Sequence, residues 1–421
     1  MHHRIHRLLI AAAASLLVSA CGGGGAPTAT ASAPATPQVA NQVPITVEQY
    51  SKTVAYPNAP FVTVTVCDAS NNCQAIDHVL LDTGSSGLRL MPGVLTLNLP
   101  GQTTASGAQV AECAQYGSGY VWGAQRLATV KMAGEVATGV AVTVAGDASI
   151  PAAAPAGCAA TGPSVATNFV GAFNGILGIG VTPQDCGTYC EQNAAGNVYF
   201  ACTGGASGSC VATTMPLAGQ TPNPVARFAT DNNGTLLDFP AVAGAQASLA
   251  ATLTFGIGTQ PNNQLAGRQV YPLLMNVGFL PAIAADIDGT STFTFLDSGT
   301  NQLAIGLPGS PPLVGATLPQ TLPLSSPTSA CGVSIYCPST PVDLTAILAA
   351  ATGSSHSTTT LTVSDPSAAL QQALGVIPGF ATPPISSDYT ILGLPFFYGR
   401  SVMTAIDGVA TPYGSGPFWA F

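Results

Sequence analysis

Two short acidic motifs, one in each half of the chain, carry the residue types best suited to do chemistry. Asp-Thr-Gly-Ser occupies residues 82–85 and is followed by Ile-Leu-Gly at residues 176–178. Asp-Ser-Gly-Thr at residues 297–300 is followed by Ile-Leu-Gly at residues 391–393, so the interval from the aspartate to the last glycine is 96 residues in both copies. The repeat predicts two lobes that meet around a pair of carboxylates. Two carboxylates forced together share one proton and can activate water, which indicates a hydrolase.

The segments that must position these motifs have the pattern of β-strands. Residues 61–66 alternate apolar and hydroxyl-bearing side chains, as a half-buried strand does. Residues 75–81 are the predicted partner strand after a polar turn, and they lead directly into the first aspartate. Further strands are predicted at residues 136–144, 251–257 and 292–296, and short helices at residues 342–351 and 366–374. The sequence therefore predicts an all-β fold with few helices.

The length of the chain predicts two lobes after a flexible segment. Residues 21–41 are rich in Gly, Ala, Thr and Pro and are expected to form a linker. The residues that follow exceed what one hydrophobic core usually supports. The strand pattern breaks at residues 258–267, so we expect residues 42–260 to form an N-terminal β lobe and residues 261–421 a C-terminal β lobe.

The first 21 residues have the features of an export signal. Basic residues precede an apolar stretch at residues 8–20 that is too short to span a bilayer. Val-Ser-Ala-Cys at residues 18–21 resembles the lipobox of bacterial lipoproteins. We therefore expect residues 1–20 to be a signal peptide and Cys21 to carry a lipid anchor to the membrane, and Gly22 favours the outer membrane of the cell envelope. An ordinary signal peptide followed by an incidental cysteine is the alternative.

The cysteine content indicates an oxidising compartment. The chain has 11 cysteines, and setting Cys21 aside leaves an even number, which predicts up to five disulfides in an exported protein. Cys67 with Cys73, and Cys331 with Cys337, each close a short polar loop and are the expected local pairs. The pairing of the other six is left open: Cys113, Cys158, Cys186, Cys190, Cys202 and Cys210. Zinc binding by the last four of these is a less favoured alternative.

The acidic composition excludes two classes of partner. The net charge is −9, and Lys52 and Lys131 are the only lysines, so the chain offers no basic groove for nucleic acid and no patch for docking on anionic lipid. After the export signal, the only histidines are His78 and His356. A strand histidine and a histidine in a Ser/Thr-rich loop do not favour a Ser-His-Asp enzyme or a catalytic metal site, and we expect no cofactor.

The two aspartate motifs and their surroundings resemble the active-site turns of pepsin-like aspartic peptidases. Residues 173–180 and 389–397 are similar to the buried strands that pass beneath those turns. Tyr-Gly-Ser-Gly at residues 116–119 resembles the tip of the flap, a hairpin that closes over the cleft in that family. The chain is also similar to a group of bacterial lipoproteins with such motifs. The resemblance implies a monomer with a bilobal, all-β, pepsin-like fold whose two pseudo-symmetric lobes flank a cleft.

The resemblance also implies roles for individual residues. Asp82 and Asp297 would act as a general acid/base pair that activates water to hydrolyse a peptide bond. Tyr116 and Gly117 would belong to the flap that closes on a peptide or protein substrate. The residues expected to orient the two aspartates are Thr83, Gly84, Ser85, Ser298, Gly299 and Thr300.

Departures from the family pattern keep a second function open. Arg89 stands where the family has a tryptophan that bonds the flap tyrosine, and residues 301–303 are more polar than expected. The alternative to a lipid-anchored aspartic endopeptidase is a catalytically silent pepsin-like binding or inhibitor module. A binding protein has no physical need for two mutually repelling carboxylates, so the enzyme is favoured.

Overall fold

Most of the chain forms β-strands because apolar and polar residues alternate along it. In the strand Pro60–Cys67, for example, Val62, Val64 and Val66 are buried while Thr63 is exposed. The computed structural model describes residues 40–277, 280–306, 335–350, 352–384 and 389–421. The predicted export signal with Cys21, and also Cys331, lie outside the described residues.

The strands and helices are short and follow one another closely. The strands are β1 (Gln42–Glu48), β2 (Pro60–Cys67), β3 (Cys73–Asp82), β4 (Ser86–Leu90), β5 (Gln109–Tyr116), β6 (Gly119–Met132), β7 (Glu135–Ala145), β8 (Gly175–Ile179), β9 (Tyr199–Thr203), β10 (Ser209–Ala212), β11 (Gly234–Asp238), β12 (Ser248–Phe255), β13 (Val270–Pro272), β14 (Leu274–Val277), β15 (Leu280–Ile287), β16 (Thr290–Leu296), β17 (Leu303–Ala304), β18 (Val342–Ala349), β19 (His356–Val363), β20 (Ala381–Thr382), β21 (Tyr389–Leu392), β22 (Ser401–Ala405), β23 (Ala410–Thr411), β24 (Gly414–Ser415) and β25 (Phe418–Ala420). The α-helices are α1 (Ala156–Ala159), α2 (Val165–Asn168), α3 (Gly187–Gln192), α4 (Ser367–Gln371) and α5 (Leu394–Phe397), and 3-10 helices occur at Gly205–Ser207, Leu217–Gly219, Pro224–Arg227 and Pro261–Asn263. In the part of the chain that the structure describes, no helix is both long enough and apolar enough to span a bilayer.

The first lobe is built on a ring of strands. β2, β3, β8, β4, β7 and β6 pair in that order, and β6 closes the ring by pairing with β2. β5, β9 and β10 extend the sheet outward from β6. Val64, Leu81, Leu88 and Leu177 are fully buried in the core that this ring encloses. The ring thereby fixes β3 and β8, the two strands that carry the first pair of motifs.

The second lobe repeats this local arrangement on a smaller sheet. Among the described residues, its strands are ordered β19-β18-β15-β16-β21-β17-β20, and β14 pairs with β15. β16 and β21 are parallel neighbours, as β3 and β8 are in the first lobe. Each lobe thus holds its aspartate motif at the end of one strand of a parallel pair.

A shared sheet joins the two halves of the chain. β1 pairs with β12, β12 with β11, and β11 with β22, which belongs to the C-terminal part of the chain. β25 and β13 continue this sheet beyond β22. The predicted fold class, an all-β chain with two pseudo-symmetric lobes flanking a cleft, is confirmed. The boundary between residues 260 and 261 stays a prediction.

All five predicted strands are present, but one predicted helix is wrong. The sequence predicts a short helix at residues 342–351, whereas Val342–Ala349 is strand β18. Leu344, Ala346 and Leu348 are buried at every second position, and β15 and β19 pair with the two edges of the strand. Pairing on both edges outweighs the helix propensity of these residues. The other predicted helix, at residues 366–374, contains α4.

Disulfides concentrate in the first lobe. Among the described residues they are Cys67–Cys73, Cys113–Cys158, Cys186–Cys190 and Cys202–Cys210. The first is one of the two predicted local pairs; of the second pair, Cys337 is disulfide-bonded. The zinc alternative is wrong, because all four of its cysteines are consumed by disulfides. The described residues contain no group of three or more His, Cys, Asp or Glu side chains that could hold a metal ion.

Candidate active site

The two aspartates stand at equivalent positions of two parallel strand pairs. β3 ends at Asp82, which lies opposite Gly178 of β8. β16 ends at Leu296, the residue before the second aspartate, and Leu296 lies opposite Leu392 of β21. The equal spacing of the sequence motifs therefore reflects one local structure that occurs twice.

Each carboxyl group is held by the same two kinds of donor. The amide N–H two residues after the aspartate donates to Oδ1, at 2.8 Å in both turns. The hydroxyl three residues after the aspartate donates to Oδ2, at 2.5 Å from Ser85 to Asp82 and at 2.6 Å from Thr300 to Asp297. These donors fix the orientation of both carboxyl groups, which is the arrangement expected for Ser85 and Thr300.

The two turns are bonded to each other through Thr83 and Ser298. Thr83 Oγ1 accepts from the Ser298 amide at 2.9 Å and donates to the Leu296 carbonyl at 3.1 Å. Ser298 Oγ accepts from the Thr83 amide at 3.1 Å and donates to the Leu81 carbonyl at 2.8 Å. Both hydroxyls are buried. Each turn therefore depends on a side chain from the opposite lobe.

Glycines at positions 84 and 299 allow the turns to approach closely. A methyl group on Gly84 would lie 2.7 Å from Cγ of Asp297, and one on Gly299 would lie 2.8 Å from Cγ of Asp82. Side chains do not make contacts this short, so any larger residue would push the opposite aspartate away. The glycines of both motifs are a steric requirement of a close carboxyl pair.

The surroundings of Asp82 favour its protonated form. Burial raises the pKa of Asp82 well above its usual value, and the charge of Asp297 and a hydrogen bond to it raise this pKa further. The donors at Ser85 and Gly84 act in the opposite direction but do not offset the increase. The environment of the pair therefore favours the neutral form of Asp82 at a pH at which an exposed aspartate would be ionised.

The aspartates open into a largely apolar cavity of about 380 Å³. Asp82 and Asp297 are the only carboxyl groups among the described residues that line it, and no lysine or arginine does so. Its apolar walls include Leu80, Val165, Phe169, Phe173, Ile176, Phe295, Tyr389 and Ile391. Such a cavity can accommodate apolar side chains beside the carboxyl pair.

Tyr56 belongs to this site but was not predicted. Its hydroxyl donates to the carbonyl of Gly299 at 2.8 Å. Its ring packs edge-on against Phe169 and Phe173, with ring centres 5.4 and 5.8 Å apart. Tyr56 lies in the irregular segment between β1 and β2, where neither periodicity nor a motif marks it.

The predicted flap is a hairpin whose tip lines the same cavity. β5 ends at Tyr116 and β6 begins at Gly119, which pairs with Tyr116. Tyr116 and Gly117 line the cavity together with both aspartates. The amide of Tyr120 donates to the carbonyl of Pro163 at 3.0 Å. The base of the tip is thus supported by a neighbouring loop of the same lobe.

Arg89 lies in a buried cluster of charged groups. It is 2% exposed, its Nη2 donates to Glu112 Oε1 at 2.6 Å, and Asp185 Oδ2 lies 3.5 Å from the same nitrogen. The Tyr199 hydroxyl donates to Asp185 at 2.5 Å. Glu112 and Asp185 were not predicted to take part, because the pairing depends on residues far apart in sequence. In the sequence, the only indication of this ion pair is the acidic Glu112 within the largely apolar segment that forms β5.

Comparison with known proteins places this site in a structural and family context. The structure is similar to that of the aspartic proteinase from Irpex lacteus, with a TM-score of 0.49, 15% sequence identity, and coverage of 86% of this chain and 94% of that chain. No curated protein sequence matches the chain. A family model described as "Protein of unknown function (DUF3443)" matches residues 37–421. The chain therefore belongs to the DUF3443 family.

Proposed function

We propose that this protein is an aspartic endopeptidase in which Asp82 and Asp297 activate water to hydrolyse peptide bonds. The observation that carries the proposal is the equivalence of the two turns. Each aspartate receives an amide and a hydroxyl donor from its own turn and faces the glycine of the opposite turn. A protein that only binds a partner gains nothing from holding two repelling carboxyl groups so close.

The shared proton supplies both an acid and a base. The charged carboxylate takes a proton from the attacking water, while the neutral carboxyl group gives its proton to the carbonyl oxygen of the scissile bond. The resulting tetrahedral diol collapses when the amine nitrogen takes a proton from one carboxyl group, a diol hydroxyl gives its proton to the other carboxylate, and the carbon–nitrogen bond breaks. The pair ends with one proton, as it began, so the cycle is balanced.

The cavity walls support an extended, apolar-rich peptide as the substrate. Phe169 and Phe173 of the first lobe and Phe295 of the second lie beside the carboxyl pair, and burial of apolar side chains against them would favour binding. Tyr116 on the flap would cover the bound segment and exclude water. The natural substrate would therefore present an unfolded or loop segment rather than a folded surface.

The test is cleavage of a random peptide library between about pH 3 and 7, the range in which carboxyl pairs titrate. The oxidised domain at residues 41–421 is assayed with and without the aspartic peptidase inhibitor pepstatin, beside the variant Asp297→Asn. Cleavage that is lost with the inhibitor and in the variant supports the proposal. Absence of cleavage by the folded, oxidised protein at every pH would assign the site to a binding module instead.

We also propose that Cys21 is lipidated and anchors the enzyme to the bacterial cell envelope, with the outer membrane as its location. The support is the lipobox-like sequence at residues 18–21 and the uncharged segment that follows it. Expression in a bacterial host with an alkyne-labelled fatty acid would label the wild-type protein and not Cys21→Ser. Equal labelling of both proteins would contradict the anchor.

A further inference from the structure

Arg89 connects the loop of the first aspartate to the strand that carries the flap tyrosine. Its Nη1 donates to the carbonyl of Ser86, four residues after Asp82. Its Nη2 donates at 2.6 Å to Glu112, four residues before Tyr116 on β5. The side chains of both partners of this ion pair are at most 3% exposed. The guanidinium therefore bridges the two parts of the site that must be aligned.

The carboxylate of Glu112 is fixed on both of its oxygens. Oε2 accepts from the hydroxyl of Thr143 and, at 3.0 Å, from the hydroxyl of Thr221. Oε1 accepts from the guanidinium of Arg89. A buried charge that loses its partner is strongly unfavourable, so the guanidinium is held in place by this carboxylate.

Two buried polar atoms beside this ion pair have no hydrogen-bond partner among the described residues: Arg89 Nε and the hydroxyl oxygen of Tyr116. The first can only donate and the second can accept. Glu112, Ala114 and Tyr116 lie on one face of β5, because side chains alternate along a strand. Burial raises the pKa of Tyr116, and the nearby charge of Arg89 opposes that increase. The unpaired donor therefore belongs to a side chain that is bonded to β5, and β5 ends at the residue with the unpaired acceptor.

We propose that Arg89 is a positioning residue for the flap: its Nε–H donates through one water molecule to the Tyr116 hydroxyl and holds the hairpin against the aspartate pair. A guanidinium can do this because its donors point in fixed, divergent directions, here toward Ser86, Glu112 and Tyr116. The ammonium group of lysine can replace the charge but not this geometry. The catalytic consequence of the contact rests on the proposed peptidase function, whereas the contact itself does not.

The test is a double-variant cycle with Arg89→Lys and Tyr116→Phe, read by amide hydrogen exchange of residues 112–120 in the absence of substrate. We expect each single variant to speed exchange at the flap about tenfold, the size of effect typical of one hydrogen bond to a charged group, and the double variant to exchange no faster than the singles. The control is Arg126→Lys, which alters a similar ion pair with Asp147 in the same lobe and should leave flap exchange unchanged.

The outcomes separate this proposal from the peptidase proposal. Additive effects of the two substitutions, or unchanged flap exchange in Arg89→Lys, would overturn the role of Arg89 whether or not the protein cleaves peptides. If Arg89→Lys speeds exchange throughout the chain, the neutral pair Arg89→Met/Glu112→Gln replaces it in the same cycle, with the same expectations. In an active enzyme, Arg89→Lys should lower kcat/KM about tenfold, mainly through KM, and adding Tyr116→Phe should lower it no further.

Discussion

At the scale of single residues, the burial of two neighbouring carboxyl groups costs folding stability. Burial and the charge of Asp297 disfavour the ionised form of Asp82 and so raise its pKa. Ionising both groups would place two like charges together in a poorly solvated cavity. The protein is therefore expected to lose stability at this pair as the pH rises, which is the opposite of the usual behaviour of salt-bridged aspartates.

Replacing either aspartate of the pair should abolish hydrolysis without unfolding the protein. Asp82→Asn or Asp297→Asn removes one of the two titrating groups and one charge of the repelling pair, so we expect activity to fall by at least a thousandfold and thermal stability at pH 7 to equal or exceed that of the wild type. Peptide cleavage and melting temperature measured on the same samples check both parts. Full activity in both variants would exclude the mechanism.

Asp185 provides a second, non-catalytic test of buried-acid behaviour. The charged groups around it are Arg89 and Glu112, and Tyr199 and Tyr116 are the nearby phenols. Burial raises the pKa of Asp185 well above its usual value, and the charge of Glu112 raises it further. The stabilising effect of its proton is complete below the pKa of the unfolded chain and is lost as the pH rises through the folded pKa.

We therefore expect Asp185→Asn, which resembles the protonated acid, to raise the melting temperature at pH 7 and to change it little at pH 4. The matched control is Asp147→Asn. Burial acts to raise the pKa of Asp147, but hydrogen bonds from Arg126 and Ser149 outweigh burial and hold this pKa below its usual value. The ionised carboxylate of Asp147 therefore stabilises the folded protein at neutral pH, and this stabilisation is lost as the pH falls. The control variant should accordingly lower the melting temperature at pH 7. The same sign for both variants would contradict the assignment.

At the scale of elements, the important feature is the contact between the two turns. Each turn follows a strand of a parallel pair and orients its own carboxyl group with an amide and a hydroxyl donor. The hydroxyls of Thr83 and Ser298 connect them, and the two glycines allow the approach. The site is therefore a property of the pair of turns rather than of either one.

Adding a single methyl group at this contact should damage the site more than the fold. Gly84→Ala places its Cβ 2.7 Å from Cγ of Asp297, so we expect kcat/KM to fall at least a hundredfold and the free energy of unfolding to fall by about 1–3 kcal/mol. Gly244→Ala is the control, because nothing lies within 4 Å of its Cβ and its φ is not positive. Wild-type kinetics in Gly84→Ala would show that the turns are not held as closely as described.

At the scale of the whole molecule, the sheet between the lobes makes the two halves dependent on each other. β11 of the N-terminal half has β12 on one edge and β22 on the other. Leu236 and Leu237 of β11 are buried and pair with Met403 and Val402 of β22. A chain without β22 would expose this edge and this apolar surface.

A fragment of residues 40–260 should accordingly not fold to a stable monomer. We expect it to aggregate or to lack a cooperative thermal transition, and a fusion that appends residues 398–421 through a flexible linker should restore solubility. Size-exclusion chromatography and circular dichroism of the two oxidised proteins provide the comparison. A monomeric, cooperatively folded fragment would show that the predicted boundary at residue 260 separates independent domains.

Much of this structure can be predicted from sequence patterns within a few residues, whereas contacts between distant residues cannot. The strands at residues 61–66 and 75–81, the repeated aspartate motifs and the Cys67–Cys73 bridge all follow from patterns within a few residues. The helix predicted at residues 342–351 is wrong because pairing with two neighbouring strands outweighs the helix propensity of Ala and Leu. Tyr56 and the Arg89–Glu112 ion pair could not be derived, because burial brings together residues that no spacing connects.

The mutual dependence of positions 83 and 298 has a consequence for how the sequence can evolve. Each hydroxyl accepts from the other residue's amide and donates to a carbonyl of the strand that precedes the other residue, so loss of one hydroxyl removes a hydrogen-bond partner from the opposite lobe. A lineage that alters only one of them passes through a protein with unsatisfied buried groups. Among descendants of a common ancestor, the two positions should therefore both keep a hydroxyl or lose it together, although they lie 215 residues apart.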